Sequence, residues 1–354
     1  MNIDEAKNTR EGEELPLEKL ALFLNKTLKT NKEPLEILQF PGGYSNLTYL
    51  LKLGEKELVL RRPPKGAEHI NKGHNMQREH KVLSLINQCY QKSPKTIVYS
   101  DDLDIIGSPF YVMERVKGVI LRAKQTVTMT KEVAKNLSQN LIENLAEMHN
   151  IDIYATKLNE IGKPEGYLER QISGWIQRYN NSKTDEIPDM DFVTHWLASR
   201  QKEENTMPTF LHNDYKYDNV VLNENNWSEI IAVLDWEMST VGNPYTDLGI
   251  ALGYLMEKND SPLLVSLGVP IIDGMLNRQE AVEIYEEKRK QKVENVVFYY
   301  AFALFKLAVV LQQIYYRYKQ GFTKDERFKP LIFIVKECVM TAKKAIQLNK
   351  ISNF

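Results

Sequence analysis

The segment Phe210-Leu-His-Asn-Asp-Tyr-Lys-Tyr-Asp-Asn219 is followed, sixteen residues after its last member, by Asp235-Trp-Glu237. Those residue types at that spacing suit phosphoryl transfer to a hydroxyl. Negative charge in such a transition state is spread over the phosphoryl oxygens, so catalysis is mainly positioning plus cationic stabilisation. One carboxylate must reach the acceptor oxygen and take its proton without being consumed as a metal ligand. In the D-x4-N spacing Asp214 fills that role, while the amide oxygen of Asn219 and the carboxylate of Asp235 are placed to hold magnesium on ATP phosphates. D-x4-N alone is a weak signal, and His212, Asp214 and Asp235 taken singly are ordinary turn residues. His212 two residues before Asp214, and the apolar run ahead of Asp235, supply the context that such a motif needs.

These side chains require elements to hold them. Val220-Val-Leu222 and Ile230-Ile-Ala-Val-Leu234 read as two short strands joined by the polar stretch 223–229. As a hairpin they bring Asn219 and Asp235 close together. Upstream, residues 15–28 place Leu17, Leu20, Leu24 and Leu28 at helical spacing, and from Leu35 the period shortens to that of strands: 35–40, 47–53 and 57–61. Between the first two lies Pro41-Gly-Gly-Tyr-Ser-Asn46. Taken alone this is most simply a hairpin turn, but two glycines and two small polar residues can also present backbone N–H groups to phosphate, and its place upstream of D-x4-N favours that reading. A helix over about 74–90 carries Arg78-Glu79-His80, and strands near 96–100 and 110–116 close a small lobe. Phe110 to Gly118 then runs from strand into a glycine-containing connection, a hinge whose backbone can meet an adenine edge. Beyond it the pattern is helical: 131–150, 167–180, 192–203, 246–257, 278–291, 293–320 and 327–348, with a loop over 181–191.

Composition narrows the class. The chain has 354 residues, 43% hydrophobic and 26% charged, enough for two lobes with an ordinary core. Its 46 Lys and Arg nearly cancel 47 Asp and Glu, which gives no reason to expect nucleic acid as a partner. Cys89 and Cys338 are the only cysteines, against a disulfide framework or structural zinc. The N-terminus shows no apolar signal region. The apolar run 296–311 is shorter than the ~20 residues of a bilayer span and is interrupted by Lys306, so it reads as a buried helix of the larger lobe. A cytoplasmic protein with no membrane partner is the expectation.

The chain resembles the aminoglycoside phosphotransferase and choline kinase-like family of small-molecule kinases, in the branch of phosphotransferase domains fused to acyl-CoA dehydrogenases. The similarity runs from Phe40-Pro-Gly-Gly-Tyr-Ser-Asn-Leu-Thr-Tyr49 to at least Gly253, and is most branch-specific in Gly166-Tyr-Leu-Glu-Arg-Gln171 and Ala232-Val-Leu-Asp-Trp-Glu-Met-Ser-Thr-Val-Gly-Asn-Pro-Tyr-Thr-Asp-Leu248. The resemblance implies an α+β, two-lobed, protein-kinase-like fold. Residues 1–116 would form a nucleotide-binding lobe, a small antiparallel sheet with one helix, and 117–354 a larger α-helical lobe for catalysis and acceptor binding. ATP and Mg2+ would bind between them. It implies Asp214 as catalytic base, Asn219 and Asp235 as magnesium ligands, and Gly42, Gly43, Ser45 and Asn46 as the phosphate-covering loop. Arg61 would stand where kinases keep a phosphate-binding lysine, with Glu79 as its ion-pair partner, unless Glu79 makes only a surface salt bridge. Met113, Glu114 and Val116 would contact adenine, and Asp247, in a Pro-x-x-Asp-Leu element, would be structural. Two departures stand out. Arginine is not a neutral exchange for lysine at position 61. Asn213 replaces the usual glycine of His-Gly-Asp, which puts a side chain beside Asp214 where it could touch or obstruct an acceptor.

The leading expectation is an ATP- and magnesium-dependent kinase acting on a hydroxyl of a small molecule, a hydroxyacyl compound among the candidates. An aminoglycoside site should be acidic. The region expected to line the acceptor offers Glu169, Asp185, Glu186, Asp189 and Asp191, but also Arg170, Arg178 and Lys183, and the aromatics Tyr167, Trp175, Tyr179 and Trp196. That mixture suits an amphipathic or anionic acceptor at least as well. The alternative is a nucleotide-binding pseudokinase that acts through protein interaction, motivated by Arg61 and Asn213. A metal-dependent hydrolase built on His212, Asp214 and Asp235 lacks the second histidine common in catalytic zinc sites, and His212 reads instead as a loop brace. Oligomeric state is not legible in the sequence.

Overall fold

The computed structural model describes residues 5–41, 46–64, 75–123, 127–200 and 206–354. Gly42, Gly43 and Ser45 of the expected phosphate loop lie outside the described residues. In chain order the elements are α1 (Leu17–Leu28), β1 (Leu35–Gln39), β2 (Leu47–Leu53), β3 (Lys56–Arg62), α2 (Met76–Ile86), β4 (Thr96–Ser100), α3 (Leu103–Ile106) and β5 (Phe110–Glu114). There follow α4 (Lys131–His149), α5 (Tyr167–Ser182), α6 (Pro188–Ser199), β6 (Thr209–Leu211), β7 (Val220–Asn223), β8 (Asn226–Val233) and β9 (Thr240–Gly242). Last come α7 (Pro244–Tyr254), α8 (Pro262–Val265), α9 (Arg278–Arg289), α10 (Val296–Lys319) and α11 (Leu331–Leu348). The chain divides into two compact units, one of Met1–Ile120, Thr156–Leu158 and Val220–Ser239, the other of the remainder.

The first unit is built on an antiparallel five-stranded sheet in the order β1-β2-β3-β5-β4. Strand periodicity decides which arginine of β3 faces where. Leu58 and Leu60 join Leu47, Tyr49, Leu51, Leu53, Phe110 and Val112 in a core closed by Leu20 and Leu24 of α1. Arg62 shares that parity and lies 5.9 Å over the Tyr49 ring, so Arg61 points to the opposite face. Helix α2 starts at Asn75, whose side chain accepts from the Arg78 N–H, and buries Met76, Glu79, Val82, Leu83 and Ile86. The hairpin β7–β8 pairs Val220 with Val233, and the Val119–Leu222 bridge ties it to the segment after β5.

The second unit is helical around α10, which packs on α5, α7 and α11. That helix is long and apolar enough to cross a membrane by length and composition, but most of it is buried inside the protein. Helix α7 is buried from Pro244 to Gly253 and is opened by the Asn243 side chain, which accepts from the Tyr245 N–H. Strands β6 and β9 form a two-stranded ladder in which Leu211 pairs with Thr240. The helix expected over 192–203 instead starts at Pro188, because proline at the first helical turn loses no hydrogen bond. The one expected from 327 starts at Leu331, after a short 3-10 turn at Glu326–Phe328 and Pro330.

Candidate active site

Strand β6 delivers His212, Asn213 and Asp214 at its end. The backbone there is fixed from below by Asp247 in the first turn of α7: its carboxylate accepts the N–H of His212 at 2.7 Å and of Asn213 at 2.8 Å. Asp247 is fully buried. Burial pushes its pKa up, but the hydrogen bond and charge of His149, then those of His212, outweigh this and hold it below the ordinary carboxylate value. His149 Nε2 lies 3.2 Å from Asp247 and its Nδ1 2.7 Å from the Tyr285 hydroxyl, while burial lowers its own pKa. Asp247 thus has the structural role that the resemblance implies.

Asn213 adopts a left-handed backbone (φ 66°). Three groups from three helices converge on it: the Asp247 carboxylate on its N–H, the Tyr167 hydroxyl donating to its Oδ1 at 3.1 Å, and Lys306 Nζ donating to its carbonyl at 3.0 Å. Its side chain is therefore turned into the protein. His212 braces the loop as expected, its Nδ1 accepting the Asp214 N–H at 3.3 Å.

The Asp214 side chain is about a quarter exposed. Asn219 donates from its amide nitrogen to the Asp214 carbonyl (2.8 Å) and to Oδ2 (3.0 Å), which leaves the amide oxygen as the atom able to serve a cation. Lys216 donates to both carboxylate oxygens at 2.8 and 2.9 Å. Its ammonium also lies 4.8 Å from the Tyr254 ring centroid. Burial works against the charge of Lys216, but Tyr254 and Asp214 raise its pKa above the ordinary lysine value. Sequence reasoning gave Lys216 no role. The available signal was its place two residues after Asp214, inside the motif.

The first unit holds a separate charged cluster centred on Arg61. Arg61 donates to Glu79 Oε1 at 2.5 Å, to Asp235 Oδ1 from both terminal nitrogens at 3.1 Å, and to Glu237 Oε2 at 3.3 Å. Tyr111 donates to the same Glu79 oxygen at 2.8 Å. Burial opposes the Arg61 charge, but Glu79 and the other acidic neighbours push its pKa well up, so the guanidinium stays protonated. Burial raises the pKa of Glu79, and Arg61 counters it. Glu79 is thus a buried ion-pair partner and not a surface one. Asn46, also buried, donates to Glu237 Oε2 at 2.8 Å and so ties the end of the expected phosphate loop to the Asp-Trp-Glu element. From α2, Arg78 donates to the carbonyls of Glu237 and Ser239. Asp235 itself sits in a left-handed conformation (φ 65°), with Trp236 buried behind it and donating to the Val233 carbonyl.

Three carboxylates contact one guanidinium here, oxygen donors of the kind a divalent cation takes. Asp235 is the accessible member: its side chain is 34% exposed, against 2% for Glu79 and 14% for Glu237. Among the hinge residues Met113 is buried, Glu114 exposed, and Val116 packs with Ile120, Val221 and Ala232 in a small apolar cluster that Ile231 and Leu234 extend. Among the described residues no group of three His, Cys, Asp or Glu is placed to hold a metal by itself, so a cation here would need further oxygens from a ligand.

Known proteins give this geometry a family. Mouse acyl-CoA dehydrogenase family member 11 is 32% identical over 317 residues, covering 88% of this chain and 40% of the mouse protein. Across the curated relatives the chain spans 30% to 43% of their length. A Ralstonia eutropha protein assigned to the aminoglycoside phosphotransferases superposes with TM-score 0.79 at 27% identity, covering 94% of this chain and 99% of that one. The GDP complex of aminoglycoside 2'-phosphotransferase-IIIa shares the fold at TM-score 0.61 and 12% identity, covering 94% of this chain and 99% of that one. Residues 36–269 match the profile of the phosphotransferase enzyme family, and with two-thirds of its length inside that match, the chain belongs to this family of kinase-like fold.

Proposed function

We propose that this protein is a small-molecule kinase that moves the γ-phosphoryl group of ATP to a hydroxyl. The observation that carries the reading is the Asp214 loop: an accessible carboxylate, held by a buried aspartate beneath its backbone, with a lysine and an asparagine amide on its oxygens. In the reaction the acceptor hydroxyl passes its proton to Asp214 as its oxygen bonds to the γ-phosphorus, and the bond to the β–γ bridging oxygen breaks to release ADP. Lys216, already beside that carboxylate, supplies positive charge to the phosphoryl oxygens as they move. Asp235 and the amide oxygen of Asn219 are the proposed magnesium ligands. When bound, the ion neutralises charge on the β- and γ-phosphates. Arg61, held by Glu79, is the proposed phosphate-binding cation, and the apolar cluster around Val116 suits an adenine face.

We assign nucleotide binding to 1–116 and catalysis with acceptor binding to 117–354. Structures of related folds contain GDP, or ADP with hygromycin B, which supports nucleotide use without fixing ATP over GTP. The names of the curated relatives point to acyl-CoA chemistry, which makes a hydroxyacyl compound the acceptor to test first. The deciding experiment is ADP release from Mg-ATP across hydroxyacyl-CoAs, hydroxy acids, choline, homoserine, sugars and aminoglycosides, with Asp214→Ala as blank. One acceptor that lifts ADP release above that blank establishes the kinase. ATP binding with no acceptor response anywhere in the panel favours the pseudokinase, for which the Arg61–Asp235 contact is the motivating observation.

A further inference from the structure

Helix α10 is apolar almost throughout, and Lys306 is its sole charged residue before Arg317. A lone ammonium among aromatic and aliphatic side chains is costly to retain unless something compensates it. Its described contacts are one backbone carbonyl, that of Asn213, and the face of Trp175, whose centroid is 5.5 Å from Nζ. An ammonium has three donors. Trp175 is buried on α5, its indole N–H donating to Gln171, and carries the Arg178 guanidinium 4.4 Å from its ring centroid. Arg178 is exposed at the head of this group.

Two cations, Lys306 and Arg178, thus lie on the one Trp175 ring. Among the groups that act on Lys306 most strongly are the carboxylates of Asp214 and Asp247 and the cations Lys216 and Arg178. Both carboxylates are already engaged, Asp214 by Lys216 and Asp247 by His149 and two backbone N–H groups. Asp189, one of the acidic residues expected nearby, is paired with Lys343. Burial brings the Lys306 pKa down to about 8, against the pull of Asp214 and Asp247. A polycationic acceptor would meet repulsion here.

Resting on the kinase reading above, we infer that Lys306, Arg178 and Trp175 form an acceptor subsite for an anionic group, a carboxylate or a phosphate, with the carbon skeleton of the acceptor laid on the tryptophan face. The anion would add the missing partner to Lys306 and leave the acceptor hydroxyl to Asp214.

The test is direct binding, read from perturbation of the Trp175 indole resonance and by calorimetry, so that it does not depend on turnover. The probes are 3-hydroxybutyrate and glycerol 1-phosphate, with 3-hydroxybutyramide and glycerol as matched neutral controls. The wild-type protein is expected to bind at least one anion about tenfold more tightly than its neutral match, as one favourable charge contact of ~1.4 kcal/mol requires. Arg178→Gln, at an exposed position, and Lys306→Gln should each collapse that ratio. Loss with carboxylate alone or phosphate alone identifies which anion is read. Equal binding of anion and neutral match, no binding of either anion, or an undiminished ratio in both variants overturns the subsite. If the anion binds as expected but no hydroxyl acceptor is phosphorylated over the Asp214→Ala blank, the subsite stands and the kinase reading fails.

Discussion

Lys216 Nζ spans both oxygens of Asp214, at 2.8 and 2.9 Å. On the kinase reading, that ammonium orients the carboxylate that is to take the acceptor's proton. The same ammonium is therefore available to follow the phosphoryl group. Lys216→Met should lower kcat by about 10²–10³, the cost of losing one preorganised donor to a transferring group, with a smaller change in acceptor KM. Wild-type turnover in Lys216→Met would remove the lysine from the mechanism. Asp214→Ala should abolish turnover while nucleotide binding persists.

Arg61 is the counterion of a buried carboxylate. Arg61→Ala takes away the guanidinium that donates to Glu79, Asp235 and Glu237, and removing one partner of a buried ion pair costs about 3–5 kcal/mol. Urea denaturation should show that loss. Arg61→Lys keeps the charge but not the fork that reaches three carboxylates at once, so it should recover only part of the stability. Full recovery with lysine would mean that charge alone matters at this position.

Much of this was legible before folding, and the reasons are physical. Period-two alternation in β3 separates Arg61 from Arg62, and the apolar run of β8 ends where Asp235 must stand. What sequence could not supply is pairing between short elements far apart. The ladder of β6 with β9 joins three residues to three across the chain, too few for a pattern to register. Lys306 was visible only as an interruption in an apolar run. That its ammonium meets the carbonyl beside Asp214 follows from how α10 packs, and spacing carries no trace of it.

Asn213 was expected to touch or obstruct an acceptor. The structure instead turns its amide oxygen to the buried Tyr167 hydroxyl. Asn213→Gly should therefore open no new acceptor class. Glycine accepts the left-handed backbone freely, but the variant strips a buried hydroxyl of this partner, a loss of about 1–3 kcal/mol. Tyr167→Phe removes the other half. In a double-mutant cycle by chemical denaturation the two changes should be non-additive. Additive losses would show that the contact contributes nothing.

His149 and Asp247 make the Asp214 loop sensitive to acid. Both bind protons more weakly folded than unfolded, so each contributes stability that is present above its unfolded value and lost as pH falls. For His149 the loss begins below about 6.5, and for Asp247 only below about 3.8. Between about pH 7 and pH 5 the histidines carry the loss, His80 contributing beside His149 because burial lowers its pKa too. Denaturation midpoints should fall over that interval, and His149→Gln should flatten the slope. An unchanged slope in His149→Gln would assign the titration to another group.

Asp235, a proposed magnesium ligand, is already held by Arg61. Both terminal nitrogens of Arg61 converge on one of its oxygens, yet Asp235 is the most exposed carboxylate of the cluster. A magnesium ion on that oxygen would displace part of the arginine contact and free the guanidinium for phosphate. Mg-ATP should then bind more tightly than ATP in chelator, and raise the melting temperature by mass action on the folded state. Asp235→Asn keeps the shape but removes the charge that draws the cation. In that variant the affinity for ATP should become nearly independent of magnesium, while magnesium-free binding is retained or improved because Arg61 is less tightly held. A magnesium dependence that survives Asp235→Asn would place the ion on other ligands and leave Asp235 as the counterion of Arg61.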